Sequence, residues 1–552
     1  MKIKFKMPHE AKKVEVEYKN GESIVEIIKR EFKNYKRFLG AVVNAELKSL
    51  YYKPKEDDEI VLLDIENSLG LRIYTTSLSM IYAYAIKSLY PNMNTVIEHY
   101  VGSTIYTQKI GEEPFTIEEV KSIEKRMREI VKENIDIKME KWNSEKAIDY
   151  YSKIKREDVV KLLETSKAME VNMYRMDNFL EKFEGVLVPS SEFIEKFELS
   201  YYYPGLLIRF PSSDKNFEID IDEEEAKLAK TFQDHTKDAH IIGVNYVGEL
   251  NDKISSGKSR DLILVSESFL DMRIRDIAIK IAEDSAKRVV LISGPSSSGK
   301  TTFAQKLKIA LTMYGLNSIE ISTDDYFVDR KMTPKNPDGT YDFETIDAVD
   351  IESLNRDIIK LIESGETEKR SFDFIEGKPI FTGEKHELGS SGIIIIEGIH
   401  ALNPILSKDV PNRNKLKLYL SALTTMNIDS MNRLSTTDVR FLRRMVRDVR
   451  TRGRDVSTSL NEWENVRKGE DKYVFPFQEE ADIMINTSLF YEIAVLKKHA
   501  MVLLEKVPES DRNYVRANRL MDMLRYFVSI EDDAMIPNTS LIREFIGGSI
   551  FE

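Results

Sequence analysis

The sequence contains no cysteine, which excludes disulfide bonds, a thiol nucleophile and thiolate metal sites. No apolar run reaches the roughly 18–20 residues that a membrane-spanning helix needs, and the first residues lack the apolar core of a secretion signal. Positive charge is outweighed, because 81 Lys and Arg residues stand against 93 Asp and Glu residues. We therefore expect a cytoplasmic protein without a membrane partner. RNA is a candidate partner that this charge balance disfavours.

The composition that remains is typical of globular proteins, with 42% hydrophobic and 32% charged residues. A length of 552 residues suits about three domains. Changes of pattern divide the chain into a β-rich module, an α+β domain, a bridging segment, an α/β domain and a tail, at residues 1–65, 66–225, 226–287, 288–507 and 508–552.

The segments before residue 288 carry patterns of secondary structure but no complete chemical motif. In residues 1–65, KIKF and KVEVEY alternate like strands, a helix is predicted over 23–32, and EIVLLD indicates a closing strand. In residues 66–225, a Thr-x-x-Glu capping box at Thr116 and Glu119 precedes an apolar helical stripe. The bridging runs HIIGVNYV and LILVS have strand character, and a helix is predicted to follow over 267–283. The tail has one helical pattern, near residues 518–526, and no assigned role.

The strongest chemical signal is a phosphate-binding loop. The strand pattern RVVLIS leads directly into GPSSSGKT, a complete G-x-x-x-x-G-K-[ST] motif, and a helical pattern follows. Such a loop wraps phosphates with backbone N–H groups at a helix N-terminus. Lys300 is placed to reach the β- and γ-phosphates, and the Thr301 hydroxyl to bind Mg²⁺. The predicted ATP-binding residues of this motif are Gly294, Ser296, Ser297, Ser298, Gly299, Lys300, Thr301 and Thr302.

Acidic residues follow two further strand patterns. Glu397 ends SGIIIIEGIH, whose four isoleucines are typical of a buried parallel strand. Ligands of open α/β sheets bind at this carboxyl edge, so Glu397 is a candidate Mg²⁺ or Mg²⁺-water ligand, or an acid that orients the nucleophile. The second pattern, IEISTDDYF, places Asp324 and Asp325 after its strand. Either carboxylate is suited to orient a substrate hydroxyl or accept its proton.

A cationic segment, FLRRMVRDVRTRGRD over 441–455, stands out in this acidic protein. Guanidinium groups bind phosphate bidentately, so the segment predicts a lid that covers ATP and supplies positive charge. Four of its arginines share a helical face and two more lie alongside. The face is formed by Arg443, Arg447, Arg450 and Arg454, with Arg444 and Arg452 beside it.

These motifs, together with DFETIDAVD and ADIMIN, occur over about residues 288–487. In this order they resemble the uridine kinase and phosphoribulokinase family. The resemblance implies an α/β P-loop kinase that uses ATP and Mg²⁺ to phosphorylate an alcohol. By alignment it gives Asp324 the role of catalytic base and places Glu344 at the ribose hydroxyls. It implies catalytic roles for Lys300 and Arg447 and ATP contacts for Arg452 and Arg454. The implied substrate contacts are Asp324, Tyr326, Glu344, Phe372, Phe374, Arg444 and Arg447.

The segment RSFDFIEG departs from the pyrimidine-reading segment of uridine–cytidine kinases of the mammalian type. Phe372 stands where that pattern has Tyr, and Gly377 falls near its His. These residues offer stacking and space but no side-chain hydrogen bond to a base edge, so we expect weak base selectivity.

The first two segments resemble other families. Residues 1–65 are similar to a TGS domain, and the region from SMIYAYAIKSLYP onward is similar to the second domain of threonyl-tRNA synthetases. That domain edits with an H-x-x-x-H pair, whose positions here hold Thr76 and Met80. We therefore expect no editing activity. The whole arrangement is similar to long bacterial uridine kinase-like proteins.

The sequence is compatible with three hypotheses about function. The leading hypothesis is a nucleoside kinase that phosphorylates the 5′-hydroxyl of uridine, or of cytidine or other ribonucleosides. A second is a kinase of another hydroxylated metabolite, such as a sugar phosphate or a pantothenate-like alcohol. A third is an RNA-linked regulator with the P-loop as a switch, which has no need of a hydroxyl-orienting acid. Oligomeric state and any allosteric ligand do not follow from the sequence.

Overall fold

The computed structural model describes residues 2–8, 13–111, 113–212, 217–219, 225–335, 339, 341–373, 376–389 and 391–552. The predicted substrate contact Phe374 lies outside these residues.

The first segment is a five-stranded mixed sheet covered by one helix. Strands follow the order β2-β1-β5-β3-β4, and β1 pairs with β5 in parallel. The predicted order of two strands, a helix and a closing strand is confirmed, and two short strands are added before the last one. Its similarity to a TGS domain stays a prediction. The elements are β1 Lys2–Lys6, β2 Lys13–Glu17, α1 Ile24–Glu31, β3 Gly40–Val43, β4 Glu46–Lys48 and β5 Ile60–Leu63.

The second segment combines a long buried helix with two antiparallel sheets, of order β11-β12-β7-β6 and β10-β9-β8. The Thr116–Glu119 capping box is formed, and Ile123, Met127 and Ile130 of its helix are buried as predicted. The elements are α2 Ser68–Leu89, β6 Thr95–Val101, β7 Thr104–Lys109, α3 Ile117–Glu133, β8 Lys138–Asn143, α4 Ser144–Lys153, α5 Glu157–Thr165, β9 Glu170–Met176, β10 Phe179–Lys182, β11 Glu198–Tyr202 and β12 Gly205–Arg209. Met80, one of the two positions that replace the editing histidines, is fully buried in α2.

The strand character predicted for the bridging segment is wrong, because the segment is helical. It forms α6 Ala226–Ile242, α7 Val247–Ser255 and α8 Ser259–Glu283. The run LILVS lies inside α8, where Leu262 and Ile263 are buried while Leu264 and Val265 are exposed. A helix presents neighbouring residues to different surroundings, so packing on one face overrides the β propensity of branched side chains.

The kinase-like segment is a five-stranded sheet of order β14-β17-β13-β18-β19 with every pair parallel. Successive residues of β13 enter hydrophobic clusters on opposite faces of the sheet, which explains why its strands read as unbroken apolar runs. A hairpin, β15 with β16, stands outside the sheet. The elements are β13 Val289–Ser293, α9 Lys300–Met313, β14 Ser318–Ser322, α10 Ile351–Ser364, β15 Glu366–Asp373, β16 Lys378–Glu387, β17 Ile393–Glu397, β18 Lys415–Ser421, α11 Thr436–Arg452, α12 Val456–Tyr473, β19 Ile483–Asn486, α13 Glu492–Leu504, α14 Tyr514–Arg525 and α15 Arg543–Ile546.

None of the helices that the structure describes is both long enough and apolar enough to span a bilayer.

Buried ion pairs join the synthetase-like segment to the kinase-like segment. The Nζ of Lys182, at the end of β10, lies 3.0 Å from the Asp429 carboxylate, and both side chains are fully buried. Asp429 also accepts hydrogen bonds from the backbone N–H groups of Met431 and Asn432. The pair therefore holds a loop of the kinase-like segment against the preceding segment.

Replacing Asp429 with Ala should lower the free energy of unfolding by about 3–5 kcal/mol, because the variant leaves the buried Lys182 ammonium without its main counter-ion. Urea titrations followed by circular dichroism would measure the change. The matched control is Asp149→Ala, which removes an exposed pair with Lys153 and should cost no more than about 1 kcal/mol. Equal effects in the two variants would contradict the structural role of the buried pair.

Candidate active site at the carboxyl edge of the parallel sheet

The phosphate-binding loop turns from β13 into α9 through a backbone that ordinary side chains resist. A Cβ at Gly294 would collide with the carbonyl oxygen of Leu420, so only glycine fits there. Ser297 has a φ of 62° and Gly299 a φ of 81°, both in the left-handed region. Strain of this kind persists only where the surroundings hold it in place.

Three consecutive carbonyls of the loop are held from outside. Arg440 Nε donates to the Ser296 oxygen at 3.0 Å, and Arg443 Nη1 to the Ser297 oxygen at 3.2 Å. Thr487 Oγ1 donates to the Ser298 oxygen at 2.6 Å. Side chains from outside the loop thus fix its carbonyl groups, while the Ser296 N–H donates to the Glu470 carboxylate at 2.9 Å.

The two arginines of this support are themselves buried and paired. Arg440 bonds to Glu470 and Arg443 to Glu492, and all four side chains are at most 2% exposed. The predicted phosphate-facing role of Arg443 is therefore corrected, because its guanidinium is consumed by the loop backbone and Glu492. The role of Arg440 was not predicted from the sequence, because its partners Ser296 and Glu470 are distant in the chain.

Other arginines of α11 lie nearer the cleft. Arg444 Nη1 donates to Ser296 Oγ at 2.8 Å. Asp448 lies 3.1 Å from Arg447 and 3.5 Å from Arg452, so it keeps these two guanidinium groups together. The predicted common helical face is only partly formed, because α11 ends at Arg452 and Arg454 lies beyond it.

Two of the arginines predicted for that face point elsewhere. Arg450 donates to the backbone oxygen of Glu544 at 2.9 Å and pairs with the Glu552 carboxylate. Arg454 pairs with Glu462 of α12. The predicted lid is thus a packed helix, in which Arg444, Arg447 and Arg452 are the arginines that remain near the cleft.

Acidic groups oppose these cations at the strand ends. Asp324 is open to the cleft; desolvation by the cleft walls raises the pKa of its carboxyl, and the charges of Lys300, Arg452 and Arg447 limit that rise. Burial and the neighbouring Asp324 raise the pKa of Glu397 to about 7. Glu397 accepts a hydrogen bond from Ser322 Oγ at 2.7 Å. The structure therefore brings Asp324, Glu397 and Lys300 into one cleft.

Glu344 faces the same cleft from a loop. Burial raises the pKa of its carboxyl to about 7, the charge of Arg444 limits the rise, and Glu470 and Asp324 add to it. A Cβ at Gly469 of α12 would overlap the Glu344 side chain, so this glycine permits the close approach. Asp324 and Glu344 thus lie close enough to influence each other electrostatically across the cleft.

Tyr326 does not line the cleft as predicted. Its ring is buried, and its hydroxyl donates to Asp357 of α10 at 3.1 Å. The neighbouring residue, Phe327, faces other aromatic side chains. Phe327 meets Phe372 edge-on at 5.6 Å between centroids and Phe343 at 6.2 Å.

The space expected beside Gly377 is filled. The Arg330 side chain lies where a Cβ on Gly377 would stand, and the Arg330 N–H donates to the Gly377 oxygen at 2.8 Å. Arg330 and Phe327 are candidate pocket residues that the sequence analysis missed. Arg330 lies outside the recognised motifs, and Phe327 ends the IEISTDDYF pattern, in which no role was given to it.

The phosphate loop offers two hydroxyl groups suited to donate to a phosphate. Ser297 and Ser298 hydroxyls are buried and have no hydrogen-bond partner within the described chain. Thr301 is exposed at the start of α9. The described residues contain no cluster of three or more ionisable ligands that could hold a metal. Thr301, Glu397 and Asp324 nevertheless offer the hard oxygen atoms that Mg²⁺ prefers, and Mg²⁺ commonly completes its shell with phosphate and water.

The carboxyl-terminal tail, which had no predicted role, packs on this loop. A Cβ at Gly299 would overlap the Leu541 side chain, and Thr302 Oγ1 donates to Glu544 at 2.9 Å. No motif in the tail signals this contact.

Comparison with known proteins gives different results for the two ends of the chain. Residues 289–493 match the model of the Phosphoribulokinase / Uridine kinase family. Among curated proteins, the threonine–tRNA ligase of Rickettsia akari is 32% identical over 160 residues, which are 29% of this chain and 25% of the ligase. That of Clostridium kluyveri is 31% identical over 179 residues, or 32% of this chain and 28% of the ligase. The chain therefore spans about a quarter of the length of these relatives.

Solved structures also share similarity with part of the chain. A possible uridine kinase from Bacillus stearothermophilus is 18% identical with a TM-score of 0.25, covering 36% of this chain and 89% of that one. The D-glycerate 3-kinase from Cryptococcus neoformans is 14% identical with a TM-score of 0.24, covering 38% and 87%. On the family match, residues 289–493 form a P-loop kinase domain of the phosphoribulokinase and uridine kinase family, preceded by a region similar to threonine–tRNA ligases.

Proposed function

We propose that this protein transfers a phosphoryl group from ATP to the 5′-hydroxyl of a ribonucleoside, with uridine as the leading substrate. The observation that carries the proposal is the pair of carboxylates, Asp324 and Glu344, which share one cleft with the phosphate-loop lysine. One carboxylate is needed to orient the attacking hydroxyl, and the other is suited to a sugar diol.

The chain's own residues divide the work between orientation and charge. Bound ATP would supply the phosphoryl group and Mg²⁺ would neutralise its oxygens, with Thr301 and Glu397 as the candidate metal ligands. Asp324 orients the hydroxyl and accepts its proton, because it is the carboxylate open to the cleft. Lys300 and Arg447 oppose negative charge that spreads over the transferring group.

The acceptor side of the cleft is consistent with a nucleoside. Glu344 provides two oxygens for neighbouring hydroxyls, and the edge-on aromatic group of Phe327, Phe343 and Phe372 provides a surface for a flat base. Aromatic surfaces accept different bases, whereas hydrogen bonds reject the wrong one. We therefore propose firm selection of ribose and weak selection of the base.

A second candidate is a kinase of a phosphorylated sugar. It is favoured by Arg444, whose guanidinium lies beside Glu344 and is suited to hold an acceptor phosphate. The synthetase-like segment keeps RNA among the candidate partners. An RNA-linked switch would hydrolyse ATP without a phosphorylated metabolite.

A panel of acceptors, assayed by ADP release, tests the substrate proposal. Ribonucleosides should be the best acceptors and 2′-deoxyribonucleosides should be about 10- to 100-fold poorer in kcat/KM, because a half-buried Glu344 would lose a partner. Glu344→Gln should reduce this discrimination, while Glu352→Gln, on an exposed face of α10, should preserve it. Preference for a sugar phosphate or a pantothenate-like alcohol, with nucleosides inert, would overturn the nucleoside proposal and leave the kinase one standing.

Asp324→Asn should lower kcat by about 10²–10⁴, the usual scale for general acid–base catalysis, while ATP binding persists. Asp325→Asn is the matched control and should be much milder, although burial and the neighbouring Asp324 raise the pKa of Asp325 to about 6. Steady-state kinetics and direct ATP binding would be measured on both variants. The opposite ranking would identify Asp325 as the base.

Glu397→Gln should abolish most activity and yet stabilise the protein at alkaline pH. A carboxyl whose pKa rises from about 4.5 to about 7 on folding costs stability as pH rises through that interval. The variant's advantage in unfolding free energy should therefore grow by about 2 kcal/mol between pH 5 and pH 8.

Glu320→Gln is the control for that experiment, because burial also raises the pKa of Glu320 to about 7 while its carboxylate bonds to Gln305 rather than facing the cleft. It should show a similar pH-dependent gain and retain activity. If the unfolding free energy of Glu397→Gln followed the same pH profile as that of the wild type, the raised pKa of the buried Glu397 carboxyl would be contradicted.

A further inference from the structure

The last residues of the chain, 540–552, form a segment that is built into the nucleotide side of the kinase domain. Leu541, Ile542 and Phe545 are fully buried. Leu541 contacts Gly299 of the phosphate loop, and the Phe545 ring lies 5.1 Å from the Arg443 guanidinium. This terminal segment is therefore a fixed wall of the loop.

Between its apolar anchors, the terminal segment directs one carboxylate at the start of α9. Glu544 accepts hydrogen bonds from Thr302 Oγ1 at 2.9 Å and from the Thr302 backbone N–H at 3.4 Å. Its other oxygen lies 3.9 Å from Arg447 Nη1. The Glu544 side chain is 18% exposed, so one side of it faces solvent.

A carboxylate at this position lies where a nucleotide phosphate is expected to bind. First-turn N–H groups of the helix after a P-loop are donors for nucleotide phosphate, and the helix dipole favours negative charge there. Glu544 takes one of these donors together with the adjoining hydroxyl. A phosphate that approached Thr302 would meet a like charge in the same space.

We infer that Glu544 is an internal competitor of the nucleotide, which occupies a phosphate position of the loop and is displaced when ATP or ADP binds. The inference rests on the proposed nucleotide site. Arg450 holds the backbone oxygens of Glu544 and Phe545 at 2.9 and 3.3 Å, so the segment stays in place while the Glu544 side chain rotates. Arg447 is the nearest alternative partner for the displaced carboxylate.

This arrangement sets nucleotide affinity and assists product departure. Displacing Glu544 costs binding free energy for either nucleotide, because a charge-assisted hydrogen bond must be broken. Its return to Thr302 then competes with ADP. Glu544 is thus a residue that sets affinity for the phosphate donor.

Calorimetric titration of residues 1–552 with ADP tests the inference, using wild type, Glu544→Gln and Glu552→Gln. Gln at position 544 keeps an acceptor for the Thr302 hydroxyl but removes the charge, so its Kd for ADP should fall about tenfold. Glu552 belongs to the same segment and pairs with Arg450 at the surface, so its variant should bind ADP like wild type. Thermal unfolding should be similar for all three proteins.

The results of this titration distinguish a failure of the Glu544 inference from a failure of the proposed nucleotide site. Tighter ADP binding in Glu544→Gln alone supports the competitor. Equal or weaker binding in that variant, with normal thermal stability, would overturn it and would leave the nucleotide site intact. Absence of ADP binding in all three folded proteins would overturn the nucleotide site and the inference together.

Discussion

The kinase domain depends on two buried guanidinium groups that hold the carbonyl side of the phosphate loop. Arg440 and Arg443 donate to the oxygens of Ser296 and Ser297, and each is neutralised by a buried glutamate. Burying such ion pairs costs desolvation free energy, and removing one partner is strongly destabilising. We therefore infer that their role is to position the loop. They fix the backbone of the loop around Ser297, whose φ of 62° lies in the left-handed region.

The same helix carries this constraint to the rest of the molecule. Asp438, in the first turn of α11, bonds to Arg72 of the synthetase-like segment at 2.8 Å and to Arg519 of α14 at 2.7 Å. Burial alone would raise the pKa of Asp438, but Arg519 and Arg72 hold it well below its usual range. Helix α11 is therefore fixed at its start by two other parts of the chain, while its later residues support the loop and the cleft.

Local motifs allowed the site to be predicted, and distant partners explain what was missed. The P-loop, the strand that ends in Glu397 and the acids after β14 follow from residues adjacent in sequence. Arg440 and Arg443 were unpredictable as loop supports, because Glu470 and Glu492 are identified only by folding. The Tyr326 ring lies in the core, where its hydroxyl contacts Asp357, a partner that its local motif does not indicate. The bridging segment is helical because burial of one helix face outweighs the β propensity of its branched side chains. Glu544 lies in a tail without a recognisable motif.

The destination of the γ-phosphoryl group tests the central claim most directly. The purified protein, residues 1–552, would be incubated with γ-labelled ATP, Mg²⁺ and uridine, and the products would be separated and identified by mass. We expect the label in a nucleoside 5′-monophosphate, in an amount equal to the ADP formed, and its loss in Lys300→Ala. Label found solely in inorganic phosphate, at a rate that uridine leaves unchanged, would contradict a nucleoside kinase.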